Sequence, residues 1–418
     1  MVLLVLAGAP LLGPAPQAQD KPEEVAEPGT SAPGEQRDLD FTAAVTTLFS
    51  HREDARLTQG SGSLETERVR LALGWTLDNS RTTLFASLSP YYERFQEQTS
   101  LSTYGGSAGL GLTHQVSPRQ ILGVTGTVVA APEQDVPTPQ TSSGPALPQA
   151  GILVPRNGFV RATLRLGDQI ELSSRSHLDV AVSGGLIRFN AFDAGENTSN
   201  LALADQSSYQ ISAGYLRRAS PRRGWMLDFA GNRTSVDENG QNLNQGQKNR
   251  DQIAASFGST FDLVPRSELI LRGGVSSIET RDGGSATTPS FSMEWVVAAE
   301  RVSGGLVLSR GQGVFSGSTT SVTTTSGAGN MAWQAWRRTS LQLGAGYSVS
   351  SAAEEQAGGN GDIRSRTVSA SVSQARRTLS WSVSASQARQ RSDANFGRNL
   401  QTATVSVSFS WRFAGGRT

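Results

Sequence analysis

The chain contains no cysteine, so it has neither a disulfide framework nor a thiolate metal site. Lysine is nearly missing as well: Lys21 and Lys248 are the only two, and every other basic residue is arginine. The 37 basic and 36 acidic residues leave a formal net charge of +1, which gives no global field for holding a nucleic acid. Long hydrophobic runs are absent too. Only 37% of the 418 residues are hydrophobic, and no stretch approaches the ~18–20 apolar residues that a membrane-spanning helix needs. A hydropathy scan alone would class such a chain as water-soluble. That inference fails for β-barrels, whose strands alternate lipid-facing and water-facing residues and so average to mildly polar.

The first 38 residues are unlike the rest. Val2 to Leu12 (VLLVLAGAPLL) is a short apolar run followed by Gly-Pro-Ala-Pro-Gln-Ala, which reads as a signal peptide over residues 1–18, cleaved after the small Ala18. No Lys or Arg precedes the run, and Pro16 stands at the −3 position. Residues 19–38 are rich in Pro, Glu, Gly and Ser, the composition of a disordered linker, here a periplasmic one.

From Leu39 onward apolar and polar residues alternate, as in Val69-x-Leu71-x-Leu73-x-Trp75-x-Leu77 and Val405-x-Val407-x-Phe409-x-Trp411. This is the period of strands with two unlike faces. The links between the runs are of two kinds. Eight are very short and carry an arginine beside small or turn-forming residues: Arg81, Arg119, Arg175, Arg222, Arg266, Arg301, Arg338 and Arg377, spaced 35 to 56 residues apart. The others are longer and polar, such as 93–101, 131–155, 193–204, 235–249, 315–327 and 353–362. Short turns on one side and long loops on the other are the pattern of a transmembrane barrel whose short turns face the periplasm. Eight turns give sixteen strands, and one more at each end gives about 18. The expectation is therefore an all-β, transmembrane antiparallel β-barrel of 16–18 strands over residues 39–413, with residues 414–418 as a periplasmic tail and the bacterial outer membrane as its location.

The tryptophans support the membrane reading. Trp75, Trp225, Trp295, Trp333, Trp336, Trp381 and Trp411 all fall close to the short-turn side, as expected of an interface girdle, because indole prefers the lipid headgroup level. The opposite strand face is small and hydroxylic: Ser380, Ser382, Ser384 and Ser386, then Thr404, Ser406, Ser408, Ser410 and Arg412, and elsewhere Gly105, Ser107, Gly109, Gly111 and Thr113. Such residues cannot fill a core, so the interior should hold water. Candidate lumen-lining residues are Arg68, Arg70, Arg161, Arg165, Ser406, Ser408 and Arg412, with Arg272 a further basic position. Outer-membrane lipid and the barrel-assembly machinery are the expected partners, the latter through the closing strand TATVSVSFSWRF.

The stretches LSRGQGVFSGSTTS and WRRTSLQLGAGYS and the closing SVSFSWRF resemble the β-barrel porin 2 group, over roughly Val302 to Phe413. The resemblance implies a porin-like barrel, one that guides a secreted exopolysaccharide outward, with the polysaccharide and periplasmic export proteins as partners.

No constellation points to catalysis, a cofactor or a metal. His51, His114 and His177 lie far apart in the expected barrel and cannot share a site. Of the three, only His51 has the depth for an outer-rim hydrolase, and a solvated loop histidine is the simpler reading. Gly105-Gly106 and Gly358-Gly359 are not phosphate loops, since no Lys-Ser/Thr pair follows. The 237–251 loop lacks the fixed spacing of a calcium-binding EF-hand. A TonB-dependent transporter would need 22 strands and a folded plug, where about 20 linker residues stand. The readings left are a channel for hydrophilic solutes, not an enzyme, and, as an alternative, a structural or adhesive barrel whose loops bind partners. The 131–155 loop, the longest, is a candidate for folding into the pore.

Overall fold

The computed structural model describes residues 38–54, 62–95, 102–131, 135–136, 152–153, 159–189, 205–236, 249–264, 266–280, 285–314, 321–352, 362–376, 379–392 and 400–414. The strands are β1 (Asp38–Asp54), β2 (Gly62–Asp78), β3 (Thr82–Phe95), β4 (Thr103–Ser117), β5 (Gln120–Ala131), β6 (Asp135–Val136), β7 (Ile152–Leu153), β8 (Phe159–Ser173), β9 (Ser176–Phe189) and β10 (Gln206–Ser220). They continue as β11 (Arg223–Val236), β12 (Arg250–Val264), β13 (Ser267–Thr280), β14 (Ser285–Ala298), β15 (Val302–Val314), β16 (Ser321–Trp336), β17 (Thr339–Ala352), β18 (Asp362–Ala375), β19 (Leu379–Ser392) and β20 (Leu400–Ala414). Eighteen of them form one antiparallel sheet, each paired with its sequence neighbours and β5 directly with β8. The sheet closes where β20 pairs with β1, from Thr42↔Ala414 to Asp54↔Thr402. Closure flanks every one of the eighteen strands with two neighbours, as a sheet standing in hydrocarbon requires, with a gap in the ladder where the β14 residues before Phe291 have no β15 partner. The strand count is the one the arginine-bearing turns predict.

Those turns share a construction. In seven of them, those whose arginine is described, the arginine is the third of four turn residues, and where the first is Ser or Asn its side chain accepts the arginine N–H: Ser117 from Arg119 (3.2 Å), Ser173 from Arg175 (3.3 Å), Ser220 from Arg222 (3.3 Å) and Asn79 from Arg81 (3.0 Å). This is the side-chain mimic of a backbone turn for which Ser and Asn are favoured. The arginine carbonyl is also used. It accepts an N–H from the next hairpin at 2.7–3.0 Å in seven turns: Gln115 to Arg81, Glu171 to Arg119, Arg218 to Arg175, Asp262 to Arg222, Ala298 to Arg266, Gln334 to Arg301 and Ala375 to Arg338. Each of these seven side chains is exposed at the rim.

In the Arg266 turn the first residue is Val264, which has no acceptor, and Arg266 takes φ 69°. An L residue with a bulky side chain is disfavoured there by roughly 1–2 kcal/mol relative to glycine. Arg266→Gly is therefore expected to stabilise the barrel by about 1 kcal/mol, measured by urea unfolding in lipid vesicles, whereas Arg119→Gly should not.

Exposure separates the two strand faces. Large exposed apolar side chains such as Phe41, Leu71, Leu110, Leu164, Ile253, Phe291, Val368 and Val405 lie on register-matched positions of one face. Buried residues such as Thr66, Ser89, Gln206, Ser276, Ser348, Ser365 and Ser406 lie on the other. In a closed barrel the concave side crowds its side chains together, so the second face is the lumen and the first faces lipid. On β1, Phe41 and Phe49 mark the two ends of the apolar face. Eight residues span ~27 Å along a strand, and a tilt of ~40° reduces this to ~20 Å, comparable to the height of a lipid-facing band.

Two boundaries differ from the sequence reading by three residues or more. β16 starts at Ser321, so the last residues of the expected 315–327 loop are wall, as the β-branched run Val322-Thr323-Thr324-Thr325 favours. β3 likewise extends through Glu93 to Phe95. Of the 131–155 loop, Asp135–Val136 and Ile152–Leu153 pair with one another outside the barrel sheet. The rest of that loop, the signal peptide, nearly all of the linker, most of the 237–251 loop and the 415–418 end of the tail lie outside the described residues.

Candidate functional site

The lumen wall divides into three sectors. In the first, β2 and β8 carry the arginines. Arg68 stands opposite Glu93 and Arg70 opposite Tyr91 across the β2–β3 ladder. Arg68 Nη2 donates to Glu93 Oε1 at 2.8 Å, and its guanidinium lies 4.6 Å from the centre of the Tyr91 ring. Tyr91 lies back against β4 because its neighbour there is Gly105, where an added Cβ would run into the ring. Gly111 accommodates Phe85 in the same way. Four strands around the wall, Arg161 lies 5.8 Å from the Phe159 ring, and Arg165 follows on the same face. The Nε atoms of Arg68, Arg70 and Arg161 are buried and have no hydrogen-bond partner among the described residues.

Gly105→Val should force Tyr91 off the wall and away from Arg68. The expected cost is about 1–3 kcal/mol, as for overpacking in general, read by urea unfolding. Adding Tyr91→Ala in the same chain should recover most of it.

The second sector is acidic. Asp179 on β9, Asp228 on β11 and Glu294 on β14 all face the lumen. Arg272 stands 3.6 Å from Asp228 and donates from Nε to Met226 Sδ at 3.1 Å. His177 Nε2 lies 3.4 Å from Asp179. A basic wall and an acidic wall in one lumen create a field across the channel, felt strongly because the surrounding protein and lipid are poorly polarisable.

The third sector, β15 to β20, is hydroxylic, and its hydroxyls bond one another across the strands: Ser309 with Ser326 (2.8 Å), Thr324 with Ser350 (2.9 Å), Ser340 with Ser373 (2.7 Å), Ser382 with Ser408 (2.6 Å) and Ser384 with Ser406 (2.6 Å). Towards the long-loop end this wall is shut off from solvent: Val322 is 0% exposed, Ile363 1% and Ser406 2%. The end of β15 leaves β14 after Arg310, and the Gln312 carbonyl instead accepts from Gln252 Nε2 of β12 at 2.9 Å.

Of the residues singled out in the sequence, Arg68, Arg70, Arg161, Arg165, Ser406 and Ser408 thus stand on the lumen face. Arg412 occupies a lumen register position opposite Ala44, with its side chain outside the described part. Arg68 and Arg70 are neighbours on one strand, but the structure does not bring them together with Ser406 and Ser408. The tryptophans all lie within three residues of the short-turn end of their strands. Trp75 packs on Phe41 with ring centres 5.5 Å apart, Trp225 on Tyr215 (5.2 Å) and Trp411 on Phe409 (6.4 Å). The indole N–H of Trp295 donates to Ser267 (2.9 Å), and that of Trp381 to Gln374 (3.0 Å). The histidines are dispersed: His51 lies 3.9 Å from Glu65, and His114 is hydrogen-bonded to Thr82 at 2.8 Å.

The sequence reading passed over Tyr91, Glu93, Asp179, Asp228 and Glu294. Strand phase was the signal that could have found them, since each shares the parity of the lumen face.

No known protein family matches this chain, and no curated protein matches it in sequence. Among solved structures it is similar to OpdK of Pseudomonas aeruginosa with vanillate, at 12% identity and a TM-score of 0.51, covering 90% of this chain and 99% of that one. It is similar to OccK2 (OpdF) of the same organism in complex with glucuronate, at 11% identity and a TM-score of 0.49, over 90% and 98% of the two chains. OccAB4 of Acinetobacter baumannii follows at 10% identity and a TM-score of 0.47, over 91% and 99%. The likeness is one of fold: a closed barrel of 18 antiparallel strands, the architecture of an outer-membrane porin. With its continuous apolar outer band, the chain is a protein of the bacterial outer membrane.

Proposed function

We propose that this chain is a passive outer-membrane channel for small hydrophilic solutes carrying a carboxylate. The observation behind this reading is the row of arginines Arg68, Arg70 and Arg161 on the lumen face, whose Nε atoms have no hydrogen-bond partner among the described residues. A buried donor without an acceptor is costly, and a carboxylate supplies two oxygens in the geometry that a guanidinium matches. The acidic residues, which begin on β9 beside the arginine-bearing β8, complement this by attracting the cationic or hydroxyl end of the same solute. Vanillate, held by OpdK, is a carboxylate of this size class.

A polymer-guiding role draws on the hydroxyl-rich sector. Those hydroxyls bond one another, with Ser350 and Ser406 buried and the rest half-buried, so their hydrogen bonds to a passing sugar chain compete with bonds already made. A small solute travelling past the arginines fits the wall better.

In planar bilayers the purified protein should give a steady ohmic conductance with anion preference. Proteoliposomes should swell faster in a sugar acid than in the neutral sugar of the same size. Absence of conductance would leave the structural or adhesive reading in place. Equal swelling rates would remove the carboxylate assignment.

A further inference from the structure

Four arginines form a square on the outer wall. Arg364 and Arg366 on β18 stand directly opposite Arg391 and Arg389 on β19, as the pairs Arg364↔Arg391 and Arg366↔Arg389. Their positions share the lipid-facing parity of Val368, Val372 and Val383, which are exposed apolar residues of the same two strands. Like charges placed directly across a ladder destabilise it. Among the described residues one acidic partner is near: Asp362 Oδ2 lies 3.4 Å from Arg364 Nη2. The outward positions of the flanking strands at this level, Tyr347 and Val349 on β17 and Gln401 on β20, carry no charge.

The height of the square matters. The last outward-facing pair of the same two strands at the short-turn side is Gln374 opposite Trp381. Arg366 is eight residues above Gln374, ~20 Å along the barrel axis once strand rise and tilt are counted. That puts the square at the upper edge of the apolar band, beside the headgroups of the leaflet on the long-loop side, which faces the cell exterior. A ligand filling it must combine several negative charges with acyl chains that lie down the Val368, Val372 and Val383 surface. Guanidinium groups pair with phosphate oxygens in a two-pronged manner.

We propose that Arg364, Arg366, Arg389 and Arg391 form a binding site for the phosphorylated glycolipid headgroup of the outer leaflet. The site rests on the outer-membrane location and is independent of what passes through the lumen. The test uses the full-length barrel in neutral detergent, with purified bisphosphorylated lipid A as the probe and binding read by native mass spectrometry. Lipid A with both phosphates removed and phosphatidylglycerol serve as comparison lipids. Wild type is expected to retain lipid A, and the quadruple Arg→Gln variant at these positions to bind it roughly tenfold more weakly. The quadruple Arg→Lys variant should keep a substantial part of the affinity, and Arg188→Gln, a single outward arginine elsewhere, should change nothing. Heat-modified gel migration reports that each variant is folded. Equal lipid A binding by wild type and the Arg→Gln variant would overturn the proposal, as would equal wild-type binding of the dephosphorylated lipid or of phosphatidylglycerol.

Discussion

Replacing Arg68, Arg70, Arg161 and Arg165 together by glutamine is expected to turn the channel from anion-preferring to cation-preferring. Glutamine keeps polar side chains of comparable reach, so the conductance should persist while the field changes. Three things then happen at once. The basic wall loses four charges, Glu93 loses the Arg68 ion pair at 2.8 Å, and Asp179 and Glu294 remain beside the Arg272–Asp228 pair. In a passage walled by low-dielectric material, unit charges several ångströms from a permeating ion contribute on the order of 1 kcal/mol or more each, even at an effective dielectric of ~20. The anion-to-cation permeability ratio should therefore fall by roughly tenfold or more, and the reversal potential in a salt gradient should change sign. A reversal potential that keeps its sign would mean these arginines do not set selectivity.

The second large effect concerns stability. Leu164 is 59% exposed on the face that carries the apolar residues. Were this surface bathed in water, Leu164→Arg would be nearly neutral. Against lipid near the mid-height of the wall, it should cost about 2–4 kcal/mol. The neighbouring Thr163→Arg, which points into the lumen, should cost far less, because water and the opposing acidic wall receive it. Urea titration of the two variants folded into phosphatidylcholine vesicles separates the cases. Similar midpoints for both would contradict the assignment of faces.

The repeat of turns was readable because each is local. In four of them a Ser or Asn, one residue, then Arg is a three-residue signal whose hydrogen bond stays within the turn, and the others carry the same arginine in a short link between alternating runs. Counting turns therefore counts strands. The face of each residue was readable as well, because the period of a strand is two. What could not be read is height and partnership across the barrel. That Arg68 rests on Tyr91, and that Tyr91 can lie flat because Gly105 sits opposite, depends on the register between β2, β3 and β4, which no local pattern states. The departure of the β15 end towards Gln252 joins residues 60 apart in sequence. The acidic wall fell between these cases. Its parity was legible, but single Asp and Glu residues on separate strands form no motif until the sheet closes and brings them to one side.

The chain of bonds from each turn's arginine carbonyl to the following hairpin has a bearing on assembly. Seven such bonds join eight turns, and each offers a fixed acceptor before the next hairpin arrives. A folded turn is thus a template for its successor, and the barrel can grow in sequence order from the short-turn rim without searching for register. The seam between β20 and β1 has no such guide, since no turn connects those two strands. Its alignment must be found through the thirteen residue pairs of the ladder itself, which makes sealing the wall, rather than adding hairpins, the step with the longest search.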